Sequence, residues 1–212
     1  KGHKVGHFGA ESGTTSFIRL IVQEMYGFDV LKEYQMSQVG PGALVPLLAE
    51  GEVDAIFNFE GFASEAMVAT DGRYLLQAHA DYAKFNGGFS PWITNMAAHG
   101  DWLRDNPALA YAVRDAYDEA IRLLESSNYD ILKKPYIAEK LGISSEAVLD
   151  KVIENGRTYG YFSNDWSPEK RAAAAAFLDK LAQDGSVIQS VPEGTLVALE
   201  DAIGPRPEGK AQ

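Results

Sequence analysis

The chain of 212 residues contains no cysteine. That absence removes structural disulfides, cysteine-ligated zinc, iron–sulfur clusters and thiol nucleophiles from its possible chemistry. Positive charge is scarce too: 19 Lys and Arg stand against 30 Asp and Glu, a formal net charge of −11. Nucleic-acid binding draws on a basic face that displaces counterions, and docking on anionic lipid draws on polybasic segments; this balance argues against both. No apolar run approaches the ~20 residues of a membrane-spanning helix. The opening residues do not read as a signal peptide, which fits a cytoplasmic chain, a mature form or a fragment. No Gly-x-Ser-x-Gly elbow is found. Of the four histidines, His3, His7, His79 and His99, only His3 and His7 stand four apart, and they lie in or before a strand and not on a helix, so no helical metal-ligand pair is formed. Surface or packing roles suit them best, with His7 near enough to the end of a strand to approach a site.

What is present is ordinary globular composition, 46% apolar and 23% charged, enough for one large domain or two small ones. The first 80 residues alternate short apolar runs with helical periodicity. Lys4 to Phe8 reads as a strand, Thr15 to Tyr26 as a helix capped by Gly27, and Glu33 to Ser37 as a second strand. Pro41 to Glu50 reads as a helix ended by Gly51. Val53 to Phe59 is the strongest strand pattern, apolar enough to be covered on both faces. A helix over Phe62 to Ala69 and a strand over Arg73 to Ala78 complete a β-α-β-α-β-α-β order, the pattern of an α/β lobe.

Asp81 to Pro91, rich in glycine and aromatics, reads as a crossover or hinge, and Trp92 to Ala97 as a strand. From Gly100 the pattern is helical. Asn106-Pro107 opens a helix to about Ser126. Tyr129 to Leu141 reads as a second helix ended by Gly142, and Ser144-Ser145-Glu146 opens a third to about Asn155. Ser167-Pro168-Glu169 opens a fourth, closed by Gly185. Ala172 to Ala176 is a strong helix former in close packing. Residues after Gly204 read as a frayed tail. Trp92, Trp102, Trp166, Tyr82, Phe85, Phe89, Tyr159, Tyr161 and Phe162 make the second half aromatic, some for core and some for a cleft wall.

Two segments carry candidate binding chemistry. Gly9 to Ser16 lies between a strand and a helix, so its N–H groups and the helix dipole favour a bound anion. A plain N-capped turn accounts for the same residues equally well. Neither the Walker A pattern nor the dinucleotide fingerprint is met. Asn58-Phe59-Glu60-Gly61-Phe62 lies where the strongest strand ends, on the edge where open α/β sheets gather ligands. Glu60 suits both a hydrogen-bond acceptor for a ligand amine or hydroxyl and a cap for the next helix. Phe59 and Phe62 suit a pocket lining or the core.

These residues together resemble the type 2 periplasmic solute-binding proteins of ABC importers, in the nitrate, sulfonate and taurine branch that includes thiamine-pyrimidine binders. Lys4 to Phe8 with Ser12-Gly13-Thr14-Thr15 is similar to the opening strand and ligand loop of the second lobe. Leu47 to Ala55 resembles the family's Leu-x-x-Gly-x-Val-Asp-Ala segment. Trp102 to Pro107 with Ala110 and Ala116 resembles the helix after the crossover. Trp166, Phe177-Leu178 to Gly185, Ile188 and Pro192 resemble the C-terminal helix and exit. The chain opens at the first strand of lobe two, so the resemblance implies that part of lobe one, typically about 100 residues, is lacking. Many relatives carry Glu-Pro where this chain has Glu60-Gly61. The Ser-Gly-Thr loop and the Glu60-Gly61-Phe62 turn also resemble TAXI-group receptors of TRAP transporters; the second half matches the ABC branch better.

The resemblance implies a fold and a function. The fold is α/β: a type 2 periplasmic-binding lobe, with a mixed sheet and helices on both faces, followed by a helix-rich portion of the other lobe. Residues 1–82 form lobe two, 83–91 the hinge, 92–204 the remainder of lobe one with the C-terminal helices, and 205–212 the tail. The function is capture of a small anionic or heteroaromatic solute between lobes that close by hinge bending. The ligand contacts are Ser12, Gly13, Thr14, Thr15, Asn58 and Glu60. The implied protein is non-enzymatic, periplasmic or membrane-anchored outside the cytoplasm, and monomeric. It uses no cofactor or metal, binds no nucleic acid, and delivers its solute to an ABC permease. Alternatives are a TAXI-type receptor, an enzyme on the same fold, or a sensing domain of a larger receptor. The cysteine-rich iron motif of the pyrimidine synthase relatives is absent.

Overall fold

The computed structural model describes residues 2–91, 94–143, 145–184 and 190–207. Expectations resting on Trp92, Ser144, Gly185, Ile188 and the last five residues lie outside these. The fold is α/β. Strands β1 (Lys4–His7), β2 (Gln35–Gln38) and β3 (Ala55–Ile56) form a sheet of order β2-β1-β3. Both pairings are parallel, Val5 opposite Met36 on one side and opposite Ala55 on the other. The described strands are therefore all parallel rather than mixed, because each connection between them is a helical crossover and not a hairpin.

The first crossover carries α1 (Gly13–Tyr26) and α2 (Val30–Glu33), and the second carries α3 (Pro41–Ala49). Ser12 caps α1, and Gly27 ends it in the left-handed conformation at φ 77°. A glycine holds that conformation without a Cβ clash. Strand alternation turns Gly6 toward Leu44 of α3 and sends Val5 and His7 the other way. Helix α4 (Phe62–Thr70) lies along α3 and meets α9 (Glu146–Tyr159).

Two expected strands are not formed. Residues 73–77 are irregular and lead into α5 (Ala78–Phe85), whose first turn is held by Gln77 N–H donating to Asp81 Oδ2 at 2.8 Å. Of the expected strand over 92–97, the described residues 94–97 are irregular. Beyond α6 (Gly100–Asp105) and α7 (Pro107–Ser126), the helix expected over 129–141 is divided. It becomes a 3-10 turn, Asp130–Lys133, and α8 (Pro135–Lys140). The break falls at Lys134, which takes extended backbone because the residue before a proline avoids the helical region. Helix α10 (Pro168–Asp184) packs on α1 and α5 through Phe177 and Leu181 against Phe17, Leu20, Ile21 and Tyr82, one apolar core. A second core joins Tyr129, Leu132, Val152 and Ile153. Helix α11 (Leu199–Ile203) returns to α6.

Candidate functional site

From β1 the chain passes to β2 on one side and then returns across β1 to β3 on the other. The loops leaving β1 and β3 therefore diverge at their carboxyl ends and leave a crevice, the place where such sheets bind ligands. An open cleft of about 2670 Å³ runs along this region, and Thr14, Asn58, Phe59, Glu60, Tyr74 and Tyr161 are among its lining residues. The volume exceeds the several hundred Å³ of an enclosed small-molecule pocket, so this is a trough and not a sealed cavity.

On the β1 side, the hydroxyls of the Ser12–Thr15 loop are engaged with one another. Ser12 Oγ accepts from Thr15 N–H at 3.1 Å and donates to Thr15 Oγ1 at 2.9 Å. Thr15 and Ser16 are fully buried, and Ser16 Oγ donates to Ala10 O at 3.3 Å. His7 is buried with Nδ1 accepting from Gly9 N–H at 3.3 Å, which steadies the turn. Thr15 and Ser16 N–H are satisfied by Ser12. Among the described residues, the N–H groups of Gly13 and Thr14 keep no partner, as the first N–H groups of a helix do. Gly13 is exposed and Thr14 lines the cleft. Of the four loop residues, Gly13 and Thr14 face outward while the Ser12 and Thr15 side chains serve the helix cap.

On the β3 side, Asn58 closes the turn. Its Nδ2 donates to Pro41 O at 3.0 Å, and its Oδ1 accepts from Phe59 N–H at 3.1 Å. Phe59, 41% exposed, packs edge-on against Phe8 at 5.6 Å and Phe62 at 5.4 Å. These three rings form an apolar shelf where β1 and β3 end.

Glu60 is the centre of a polar cluster that spans the chain. Oε1 accepts from Gly61 N–H at 2.9 Å and from Ser64 Oγ. Oε2 accepts from Asn155 Nδ2 at 3.2 Å and from the Tyr161 hydroxyl. Asn155 Nδ2 also donates to Ser64 Oγ at 3.1 Å and Tyr74 OH at 2.6 Å. Ser64 and Asn155 are buried, whereas Glu60, Tyr74 and Tyr161 reach the cleft. Burial, reinforced by the Glu60 carboxylate, pushes both phenols above their ordinary range, so each stays protonated. Of the two roles its position suggests, α4 takes no side-chain cap bond, and Glu60 as an acceptor is engaged within the protein, Oε1 by Gly61 and Ser64 and Oε2 by Asn155 and Tyr161 of the second half of the chain.

The sequence reading placed Asn58 and Glu60 at the sheet edge and missed Ser64, Tyr74 and Asn155. The spacing of four between Glu60 and Ser64, across the start of α4, was a local sign of their pairing. Asn155, 95 positions from Glu60, left no local sign. Among the described residues, no three of His, Asp and Glu gather as metal ligands, and no helix is long and apolar enough to cross a membrane. No protein-family model matches the chain, and no curated protein matches it.

Proposed function

We propose that the chain is the solute-binding part of an ABC importer with a type 2 periplasmic-binding fold, working outside the cytoplasm without catalysing a reaction. The observation that supports this is the meeting of two loops on one open cleft of a parallel sheet, Thr14 from the loop after β1 and Asn58, Phe59 and Glu60 from the loop after β3. The free N–H groups of Gly13 and Thr14, at the positive end of α1, suit an anionic group. Phe59, which lines the cleft and is backed by Phe8 and Phe62, suits an apolar or planar moiety. A small sulfonate, nitrate or heteroaromatic solute fits that pair of surfaces. The net charge of −11 does not oppose it, because local N–H groups and dipoles set the potential in the site. In this reading residues 1–82 and 92–204 belong to two lobes joined through 83–91, and closure presents a surface to the permease.

Native mass spectrometry of the purified protein, followed by a thermal-shift panel of nitrate, small sulfonates, carboxylates and pyrimidines, tests the reading. A retained solute mass, or a rise in Tm that grows with solute concentration, is expected. A flat response across the panel, in this chain and in any longer form of the protein, would overturn it, as would conversion of a panel member to product.

A further inference from the structure

The cleft loops are held from behind by a side chain that no motif marks. We propose that Asn155 is the positioning residue of the cleft: through Glu60 it fixes the turn that carries Phe59, and through Tyr74 it fixes a second stretch of the wall. The proposal rests on the reading of this cleft as the ligand site.

The geometry is specific. Asn155 is 3% exposed on α9 and sends Nδ2 toward Tyr74 OH, Ser64 Oγ and Glu60 Oε2. A carboxylate accepts only, so the amide nitrogen and not the amide oxygen must face Glu60. Two N–H bonds serve three acceptors, which concentrates the hub on one side chain. Asn155 thereby joins the β3–α4 turn to α9, and Glu60 extends the join to Tyr161, the second residue beyond the helix.

The arrangement also defines what the cleft presents. Glu60 accepts four hydrogen bonds from within the protein, so its lone pairs are spent. A solute at this wall meets the phenols of Tyr74 and Tyr161, neutral groups beside an enclosed negative charge. The wall thus takes a neutral polar part of the solute, and an oxyanion is directed to the Gly13–Thr14 side.

A charge swap tests this. Asn155→Asp sets a second carboxylate against Glu60, and the two must share a proton. The shared pKa is raised in the folded state, so the variant is close to wild type below about pH 4 and loses Tm as pH rises above that. The double variant Glu60→Gln, Asn155→Asp restores a donor facing an acceptor with the direction reversed. It is expected to recover most of the lost Tm and a flat pH profile. Amide hydrogen exchange supplies a readout that general destabilisation would not move. At pH 7, Asn155→Asp should exchange at least ~10-fold faster at Phe59 to Gly61 with α1 unchanged, and the double variant should restore protection.

The proposal is overturned by a Tm for Asn155→Asp that tracks wild type at every pH, by a double variant no better than the single, or by exchange that accelerates uniformly. If the single variant does not fold, the double decides: native protection at 59–61 supports the proposal, and failure to fold overturns it. A successful swap in a protein that binds nothing in the solute panel would overturn the cleft assignment while leaving the hub established.

Discussion

Gly6 of β1 lies directly beneath Leu44 of α3, so close that a Cβ on Gly6 would stand 2.5 Å from Leu44 Cδ2 and 3.3 Å from Ile56 Cγ2. The sheet and helix are in contact because this position has no side chain. Leu44 is itself fully buried. Gly6→Ala is expected to cost about 1–3 kcal/mol by overpacking, read as a lower urea midpoint. Leu44→Ala in the same chain should make the added methyl group better tolerated, so the two substitutions should be less than additive.

Gly156, in the last turn of α9, sets two effects against each other. Replacing a helical glycine by alanine gains at most about 1 kcal/mol, and less near a helix end. Here the new Cβ would meet the Tyr129 ring at 2.5 Å. Overpacking of about 1–3 kcal/mol outweighs the propensity, so Gly156→Ala should unfold at a lower denaturant concentration than wild type. A rise in midpoint would show that Tyr129 turns aside freely.

Arg19 ties α1 to the start of α2 and the end of α10. Its Nε and Nη2 donate to the Asp29 carboxylate at 2.9 and 2.8 Å, and Nη1 lies 3.0 Å from Asp184 Oδ2. The hydrogen bonds from Arg19, with a smaller one from Leu31 N–H, outweigh burial and hold the Asp29 carboxyl below its usual range. A depressed folded-state pKa contributes stability above the unfolded value of about 4, and the contribution is lost as pH falls through the folded value. Asp29→Asn keeps the cap on α2 but removes the charge. It should cost about 1.5–3 kcal/mol at pH 7, and the gap to wild type should shrink below about pH 4. A gap independent of pH would count against this account.

Residues 197–206 are fastened to α7 and to the segment before α10. Trp166 Nε1 donates to Val197 O at 2.9 Å, Tyr111 OH donates to Gly204 O at 2.7 Å, and Arg206 pairs with Asp115. The guanidinium groups of Arg114 and Arg206 lie 4.8 and 5.2 Å from the Tyr111 ring centre. Tyr111→Phe leaves the packing and removes one bond. It should lower global stability by only about 1 kcal/mol, while amides from 199 to 206 lose protection selectively. Equal loss across the molecule would argue that this segment belongs to the main cooperative unit.

Elements with a local cause were readable. The 20-residue helix α7 starts at Pro107 and ends at Ser126, the bounds its Asn-Pro signal and periodicity give. The end of α1 at Gly27 was equally plain, whereas its start, expected at Thr15, falls at Gly13 after the Ser12 cap. Strand length was not, because a partner decides it. The apolar run from Val53 to Phe59 pairs only at Ala55–Ile56, flanked by Asp54 and Phe57 N–H bonds to β1, since β1 itself turns away after His7 and Asn58 pulls the chain to Pro41. The apolar residues Tyr74 to Leu76 have no strand beside them, and Leu75 is 72% exposed. At the candidate site, the two loops follow from the α/β pattern, whereas the links from Glu60 to Asn155 and Tyr161 arise from tertiary packing over 95 and 101 positions. The hydroxyls of Ser12 and Thr15 show how a cap and an anion loop share one sequence, for only the three-dimensional pairing reveals that they bond to each other.

The two outer strands of the sheet are poor templates for growth. One is two residues long, Ala55–Ile56, and the other reads Gln-Met-Ser-Gln. A free edge recruits further strands through its unpaired backbone groups, and long, apolar, regular edges do so most readily. Here one border offers a single step of ladder, and the other has a polar composition with one apolar side chain. Runaway strand addition between copies, the route to fibrils, therefore has little to start from at either side of this sheet.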